Sequence, residues 1–499
     1  MQHETMPNFL KKRAFLTPER TAVYFNETAI SFKELYEKSS QTAGKLKSVG
    51  VKKDQYIGVL LKNHLDTIVI LFALQLIGVK AVILNNRLSK KELIWQLNDS
   101  RAASLILEND FYEIKQALEV PVFTKDELFA ASTETPDIQE EINLNDVCTI
   151  MYTSGTTGNP KGVLHTYGNH WWSAVGSALN LGYTDRDRWL CSVPLFHISG
   201  YSILMKSVIY GMPIILHESF DAHKAINDIK NKHVTIMSVV GTMLFRMVEA
   251  LAGSKLPNHF RCALLGGGPA PLPLLEACKA IEVPVFQSYG MTETASQIVT
   301  LAPEYSITKL GSAGKPLFPS QIEIILEDGK IAQAKQAGEI IVKGPNVTLG
   351  YLNRPDVIKE KFNQGWFHTG DIGFMDEEGF LYVLDRRSDL IISGGENIYP
   401  AEIESVLLAH PDVVDAGVTG FNDETWGQVP GAFIVRKINA RVTEDELKRY
   451  CLENLAKYKV PKSFYFTEKL PRNASKKLLR RKLSELVHEG RIHNENSSN

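Results

Sequence analysis

The apolar positions in the first half of this chain alternate between two rhythms. Short, predominantly apolar runs stand at 57–61, 79–84, 148–152, 235–240, 262–265 and 283–286. Runs of this length predict buried strands, and each is followed by turn chemistry or by helical spacing, which points to an α/β sheet core. Ser31-Phe32-Lys33-Glu34 has the spacing of a capping box, in which the hydroxyl and the carboxylate satisfy each other's backbone N–H. It predicts a helix that stops near Gly50. The longest apolar stretch, 68–84, is broken by Gln75, Gly78 and Lys80, so it reads as a buried helix followed by a buried strand, and not as a membrane span.

From about Gly338 the texture changes to shorter strands and hairpin-like turns, among them Asp376-Glu377-Glu378-Gly379. Pro400 stands at the first position of a predicted helix, ahead of Ile403, Val406 and Leu407. A second capping box, Thr443-Glu444-Asp445-Glu446, opens a helix reaching about Lys457. The predicted architecture is a large N-terminal domain, 1–387, of layered α/β sheets plus a β-rich subdomain, with a small mobile α+β C-terminal domain, 388–499. The 499 residues suit two to four domains at about 150 each. Residues from His488 onward are polar and read as frayed.

Composition removes several classes of function. The net charge is −2, so no global basic field argues for nucleic acid. Apolar residues make up 44% and charged residues 22%, which is ordinary globular usage. The five cysteines are scattered without a CxxC pair, so neither a disulfide framework nor a zinc site is expected. Residues 1–16 lack an apolar h-region, and a cytoplasmic protein without membrane insertion is the expectation.

The candidate chemistry follows the predicted strands. Thr153-Ser154-Gly155-Thr156-Thr157-Gly158-Asn159-Pro160-Lys161-Gly162 combines hydroxyls, glycines and a lysine, the material of an anion cradle. It is not a Walker A loop, because Pro160 interrupts the required Gly-Lys-Ser/Thr. Gly266-Gly267-Gly268-Pro269 would let a ligand approach the backbone closely, although a plain Gly/Pro turn explains it equally well. In Ser288-Tyr289-Gly290-Met291-Thr292-Glu293, Tyr289 offers a stacking face, Thr292 a donor for phosphate and Glu293 an oxygen ligand for Mg²⁺. The bland alternatives are core packing for Tyr289 and a solvated charge for Glu293. Thr369-Gly370-Asp371 supplies a carboxylate able to bind ribose hydroxyls, and 470–481 is a basic run.

In this order and at this spacing, the 153–162 loop, the Tyr289–Glu293 box, Thr369–Asp371, Arg386 and Lys477 resemble the adenylate-forming superfamily of acyl-CoA and aryl-CoA ligases. The resemblance covers essentially the whole chain. It implies ATP, Mg²⁺ and CoA as co-substrates and cofactor, with adenylation of a carboxylate followed by acyl transfer to a thiol. It further implies that Lys477 bridges phosphate and carboxylate, that Thr292 touches the α-phosphate, and that Thr153, Ser154, Gly155, Thr156, Thr157, Gly158 and Lys161 close over the outer phosphates. Tyr289 would stack on adenine, walled by Gly266, Gly267, Gly268 and Pro269 with Ser288 and Gly290 beside it. Asp371 and Arg386 would hold the ribose, Glu293 the metal, and Gly394 and Gly395 the pantetheine arm of CoA.

For the acid, residues 194–200 lie where the superfamily places its acyl gate. His197 there cannot replace the aspartate that pairs an amino-acid ammonium. Lys206 interrupts an apolar run; it either snorkels to solvent or, pointing inward, suits a second anionic group. The texture of 194–200 with 206–211, then 264–275, 288–303 and 384–399, resembles the branch of aryl-CoA ligases that take 2-succinylbenzoate in menaquinone biosynthesis. Lys206 would then hold the benzoate carboxylate, His197 would gate the reacting end, and Ser199, Gly241, Thr242, Gly290, Ser296 and Val299 would line the rest. Another aryl- or medium-chain acyl-CoA ligase, a carrier-protein-loading enzyme, and a non-catalytic nucleotide binder are the competing readings. Oligomeric state is not legible, and a homodimer stays open.

Overall fold

All six apolar runs are strands in the computed structural model, which describes residues 4–153, 160–268, 270, 272–385, 390–438, 440–471, 478 and 480–488. They are Tyr56–Leu60, Lys80–Ile83, Val147–Thr153, Ile236–Val240, Cys262–Gly266 and Val285–Met291. The first three enter a six-stranded sheet in the order Lys161–Thr166, Val147–Thr153, Lys80–Ile83, Tyr56–Leu60, Ser104–Leu107, Val122–Thr124. From Val147–Thr153 onward its pairings are parallel. The other three lie in a 14-stranded sheet. Its parallel part runs Val285–Met291, Cys262–Gly266, Ile236–Val240, Trp189–Cys191, Ile214–Leu216, Thr21–Phe25. Strands covered on both faces need no polar alternation, which is why these segments read as predominantly apolar runs.

Past Val285–Met291 the same sheet turns antiparallel through Ser296–Leu301, Ser312–Pro316, Leu381–Asp385, Trp366–Met375, Gly338–Lys343 and Gln321–Ile325. The expectation of shorter strands after Gly338 is corrected here. Trp366–Met375 and Gly427–Arg436 have 10 residues each and Val413–Asp423 has 11, more than any of the six parallel strands. Hairpin neighbours need no crossover, so their ladder can run the length of both arms. The turn at Asp376–Gly379 forms as expected: Asp376 Oδ1 accepts from the N–H of Glu378 and Phe380, and Gly379 takes φ +81.

Both capping boxes are made. Ser31 opens the helix Phe32–Ser48, with Gly50 beyond its end at φ +90, and Thr443 opens Glu444–Asn454. The second helix stops three residues early, and a short 3-10 turn, Lys457–Lys459, takes over. The stretch 68–84 is the buried helix Leu65–Leu76 followed by the strand Lys80–Ile83. Among the described residues no helix is long and apolar enough to cross a membrane.

The chain divides into two units: Met1–Asn86 with Leu97–Tyr152 and Gly162–Asp385, and Arg87–Gln96 with Thr153–Lys161 and Arg386–Asn499. The first holds the large sheets and a core that includes Trp189, Tyr201 and Phe32. The second is built on a five-stranded sheet containing Glu396–Ile398, Ile391–Ser393, Gly427–Arg436 and Val413–Asp423, with Ser463–Phe466 parallel to Gly427–Arg436. The helices Pro400–Leu408 and Glu444–Asn454 belong to the same unit, and their Ile403, Leu407, Leu447 and Cys451 share its core with Val418, Ile434 and Phe464.

Candidate active site

Two parallel strands end side by side at Val240 and Gly266, and the parallel pairing of the third, Val285–Met291, stops at Gln287. The backbone beyond these ends is open. A Cβ built on Gly241 would meet nothing within 4 Å, one on Gly266 would meet only Ser288 Oγ at 3.7 Å, and one on Gly267, at φ +92, would touch Val240 at 3.6 Å. Gly268 is half-buried beside them, and Ser288 Oγ donates to Leu265 O at 2.9 Å. Side-chain-free backbone at the carboxyl ends of parallel strands is the place where open α/β sheets receive a ligand.

The next segment is held from behind. Tyr289 is 1% exposed, and its ring is enclosed by a cluster with Val163, Ile298 and Val299. Its hydroxyl donates to Asp371 Oδ2 at 2.7 Å, while Asp371 N–H donates to Thr369 Oγ1. Thr292 is fixed through its carbonyl, which accepts from His165 Nε2 at 2.7 Å. A carbonyl can only accept, so this nitrogen carries the proton; burial lowers the His165 pKa to about 4, keeping the ring neutral. Glu293 is 4% exposed, and its Oε1 accepts from Tyr351 Oη at 2.9 Å.

Of the residues expected as pocket wall, Gly290 is half-buried and Val299 fully buried. A Cβ on Gly290 would lie 2.2 Å from Ser296 O, so this glycine lets two backbones meet at a bulge. Val299 is fully buried opposite Tyr289, because strand alternation turns it to the core face. Gly290→Ala is expected to cost about 3 kcal/mol through overpacking against backbone. The check is a lower thermal unfolding midpoint with a parallel fall in activity on every acid.

On the acid side, His197 heads the helix Ile198–Tyr210 without a side-chain capping bond, and it lies half-buried against Phe196. Ser199 is exposed, Thr242 is half-buried in the first turn of the helix Gly241–Leu251, and Ser296 is half-buried at φ +110. Lys206 does not snorkel. It is 1% exposed, with Nζ 5.3 Å from the centroid of the Trp189 ring. Trp189 Nε1 in turn donates to Ser238 Oγ, on the strand that ends at Val240. Burial alone lowers the Lys206 pKa to about 7.

Thr153 ends its strand half-buried, and Lys161 begins the next. Gly394 and Gly395, at φ +57 and +88, form the turn between Ile391–Ser393 and Glu396–Ile398, with Trp426 packed against Gly394. Ser154, Gly155, Thr156, Thr157, Gly158, Pro269, Arg386 and Lys477 lie outside the described residues. Sequence reasoning passed over His165, Trp189 and Tyr351. Each is a lone residue in an apolar segment, and the available signal was only proximity to a strand end or to a ligand motif.

Among the described residues no three His, Cys, Asp or Glu side chains stand together as a metal cage. Magnesium is ordinarily held by one or two carboxylates plus substrate phosphates, and Glu293 beside Thr292 fits that mode.

A family model described as AMP-binding enzyme matches residues 10–352, and one described as AMP-binding enzyme C-terminal domain matches 402–477. The 2-succinylbenzoate–CoA ligase of Geobacillus kaustophilus is 58% identical, over 97% of this chain and 98% of its own. A double mutant of the o-succinylbenzoate CoA synthetase of Bacillus subtilis, bound to its product analogue OSB-NCoA, has a TM-score of 0.93 at 51% identity, covering 97% of this chain and 98% of that one. The same Bacillus enzyme in complex with ATP and magnesium ion has a TM-score of 0.77 at 51% identity, covering 96% and 100%.

Proposed function

From the premise that this chain belongs to the AMP-binding enzyme family, we infer that it is an AMP-forming acid–thiol ligase that joins 2-succinylbenzoate to CoA. The observation that carries the reading is 58% identity to a ligase of that name over nearly the full length of both chains. The buried, inward-pointing Lys206 supports a substrate with a second carboxylate.

The succinyl carboxylate attacks the α-phosphorus of ATP, forming the acyl-adenylate and releasing pyrophosphate. The CoA thiol, losing its proton, then attacks the acyl carbon, and AMP leaves. Charge builds on phosphate oxygens in the first step, so positioning and electrostatics dominate. Thr292, its carbonyl anchored by His165, would donate to the α-phosphate. Glu293 would hold the magnesium ion, which when bound would supply neutralising charge to the outer phosphates. Asp371, oriented by Tyr289 and Thr369, accepts from the ribose hydroxyls, and Arg386 serves as a donor to the ribose oxygens. His197 gates the reacting carboxylate and Lys206 pairs with the benzoate carboxylate. The proposal divides the chain into 1–387 and 388–499, with Lys477 serving adenylation and Gly394-Gly395 serving thioester formation. A cytoplasmic location suits the five described cysteines, all free and buried. A homodimer is the assembly carried with it, to be read by sedimentation.

Pyrophosphate release dependent on ATP, Mg²⁺ and CoA is expected to be strongest with 2-succinylbenzoate when compared with benzoate, octanoate and amino acids. The thioester should appear by mass spectrometry. A preference for octanoate or benzoate would remove the dicarboxylate assignment and leave the family.

A further inference from the structure

One buried asparagine outside every ligand motif of the chain ties the acid-side loop to both large sheets. Asn63 follows the strand Tyr56–Leu60 of the six-stranded sheet and is 6% exposed. Its Nδ2 donates to Val193 O at 3.0 Å and to His217 O at 3.1 Å, and its Oδ1 accepts from Leu195 N–H at 2.8 Å. Val193 and His217 stand just past the strands Trp189–Cys191 and Ile214–Leu216 of the other sheet. This pattern admits one orientation of the amide. The reverse would set its oxygen against two carbonyls and its NH₂ against an N–H.

We propose that Asn63 is a positioning residue for acid recognition, fixing the loop 193–197 so that His197 meets the reacting carboxylate. The proposal rests on the reading that His197 faces the acid. The loop is stiff enough to transmit a displacement. His197 N–H donates to Pro194 O, and the N–H groups of Gly200 and Tyr201 both donate to His197 O at 3.0 Å. A Cβ on Gly200 would lie 2.2 Å from Pro194 O, so the helix start is pressed directly onto the loop. A shift at Leu195 therefore has no slack to absorb it before His197. Removing the amide takes a partner from two carbonyls and the Leu195 N–H together, and only Val193 O keeps a weak one, the Cys191 thiol at 3.6 Å.

The test is a double-mutant cycle in the full-length enzyme, with Asn63→Ala, His197→Ala and both. Asn63→Ala is expected to raise the KM for 2-succinylbenzoate about ten-fold while the KM for ATP stays within about two-fold. On the His197→Ala background the same change should add less than about two-fold, because the loop then has nothing left to place. Asn63→Asp keeps the acceptor for Leu195 N–H but aims a carboxylate at two carbonyls, and it should be at least as impaired. Equal losses for ATP and acid, or effects that multiply in the double variant, would overturn the proposal and leave Asn63 a stabilising residue only. Should Asn63→Ala fail to fold, Asn63→Ser takes its place in the cycle. Wild-type turnover of 2-succinylbenzoate is measured in the same series. If another acid is preferred, that substrate assignment fails by itself, and the cycle is read on the preferred acid with the same two outcomes.

Discussion

Lys206→Met is expected to raise the KM for 2-succinylbenzoate about 100-fold, close to 3 kcal/mol, while benzoate activity stays within about two-fold. The helix Ile198–Tyr210 is buried from Gly200 to Val208, and Lys206 shares that burial. Its ammonium lies over Trp189, and among the described residues it has no carboxylate partner. A cation taken from water without a counter-ion is costly, and a ring face, worth about 2 kcal/mol or somewhat more when desolvated, offsets only part of that cost. On the proposed reading, a substrate carboxylate would supply the missing charge. Methionine keeps the length and apolar stem, so the slot stays filled.

The same geometry sets a pH dependence with a definite sign. In the free enzyme Lys206 loses its proton as the pH rises through about 7. The titratable neighbours do not mask this: burial holds His170 neutral and pushes the Tyr201 hydroxyl well above its usual range. A bound carboxylate raises the ammonium's pKa again, so binding takes up a proton. The KM for the dicarboxylate should therefore climb above pH 7, by up to about ten-fold per pH unit, and the climb should vanish in Lys206→Met. Initial rates on 2-succinylbenzoate and benzoate from pH 6 to 9 check both statements. An equal rise in KM for the two acids, or a pH profile unmoved by the substitution, would remove Lys206 from acid recognition.

Glu293→Gln is expected to lower kcat about 100-fold and to raise the Mg²⁺ concentration for half-maximal rate about ten-fold. Glutamine preserves the acceptor that Tyr351 Oη uses at 2.9 Å, so the buried contact survives while the charge is lost. Magnesium titration of pyrophosphate release, with unfolding midpoints alongside, separates the two effects. An unchanged Mg²⁺ dependence would reassign Glu293 to holding the segment between Thr292 and Thr348, whose N–H donates to the Glu293 carbonyl at 2.8 Å.

Local interactions were legible wherever their partners lie within a few residues. Both capping boxes pair residues three positions apart, and Gly50 ends its helix by its own φ. The six parallel strands were legible because burial on both faces leaves a predominantly apolar run, a property each run carries alone. The long antiparallel strands after Gly338 were not, since their length depends on the partner across the ladder.

The sequence by itself determined the alternation of strands and helices, the helix starts, and the order of motifs that marks an adenylate-forming enzyme. Tertiary structure alone decided what those motifs lean on. Tyr289 reaches Asp371 across 82 positions, Glu293 meets Tyr351 across 58, and Asn63 joins Val193 across 130. Tertiary structure also turned Lys206 inward and Val299 into the core. A helix buried on every side shows no polar stripe to orient its one lysine, and a tyrosine's exposed face or enclosed ring is a property of its neighbours. Such choices are made by packing between segments remote along the chain, where no local periodicity records them.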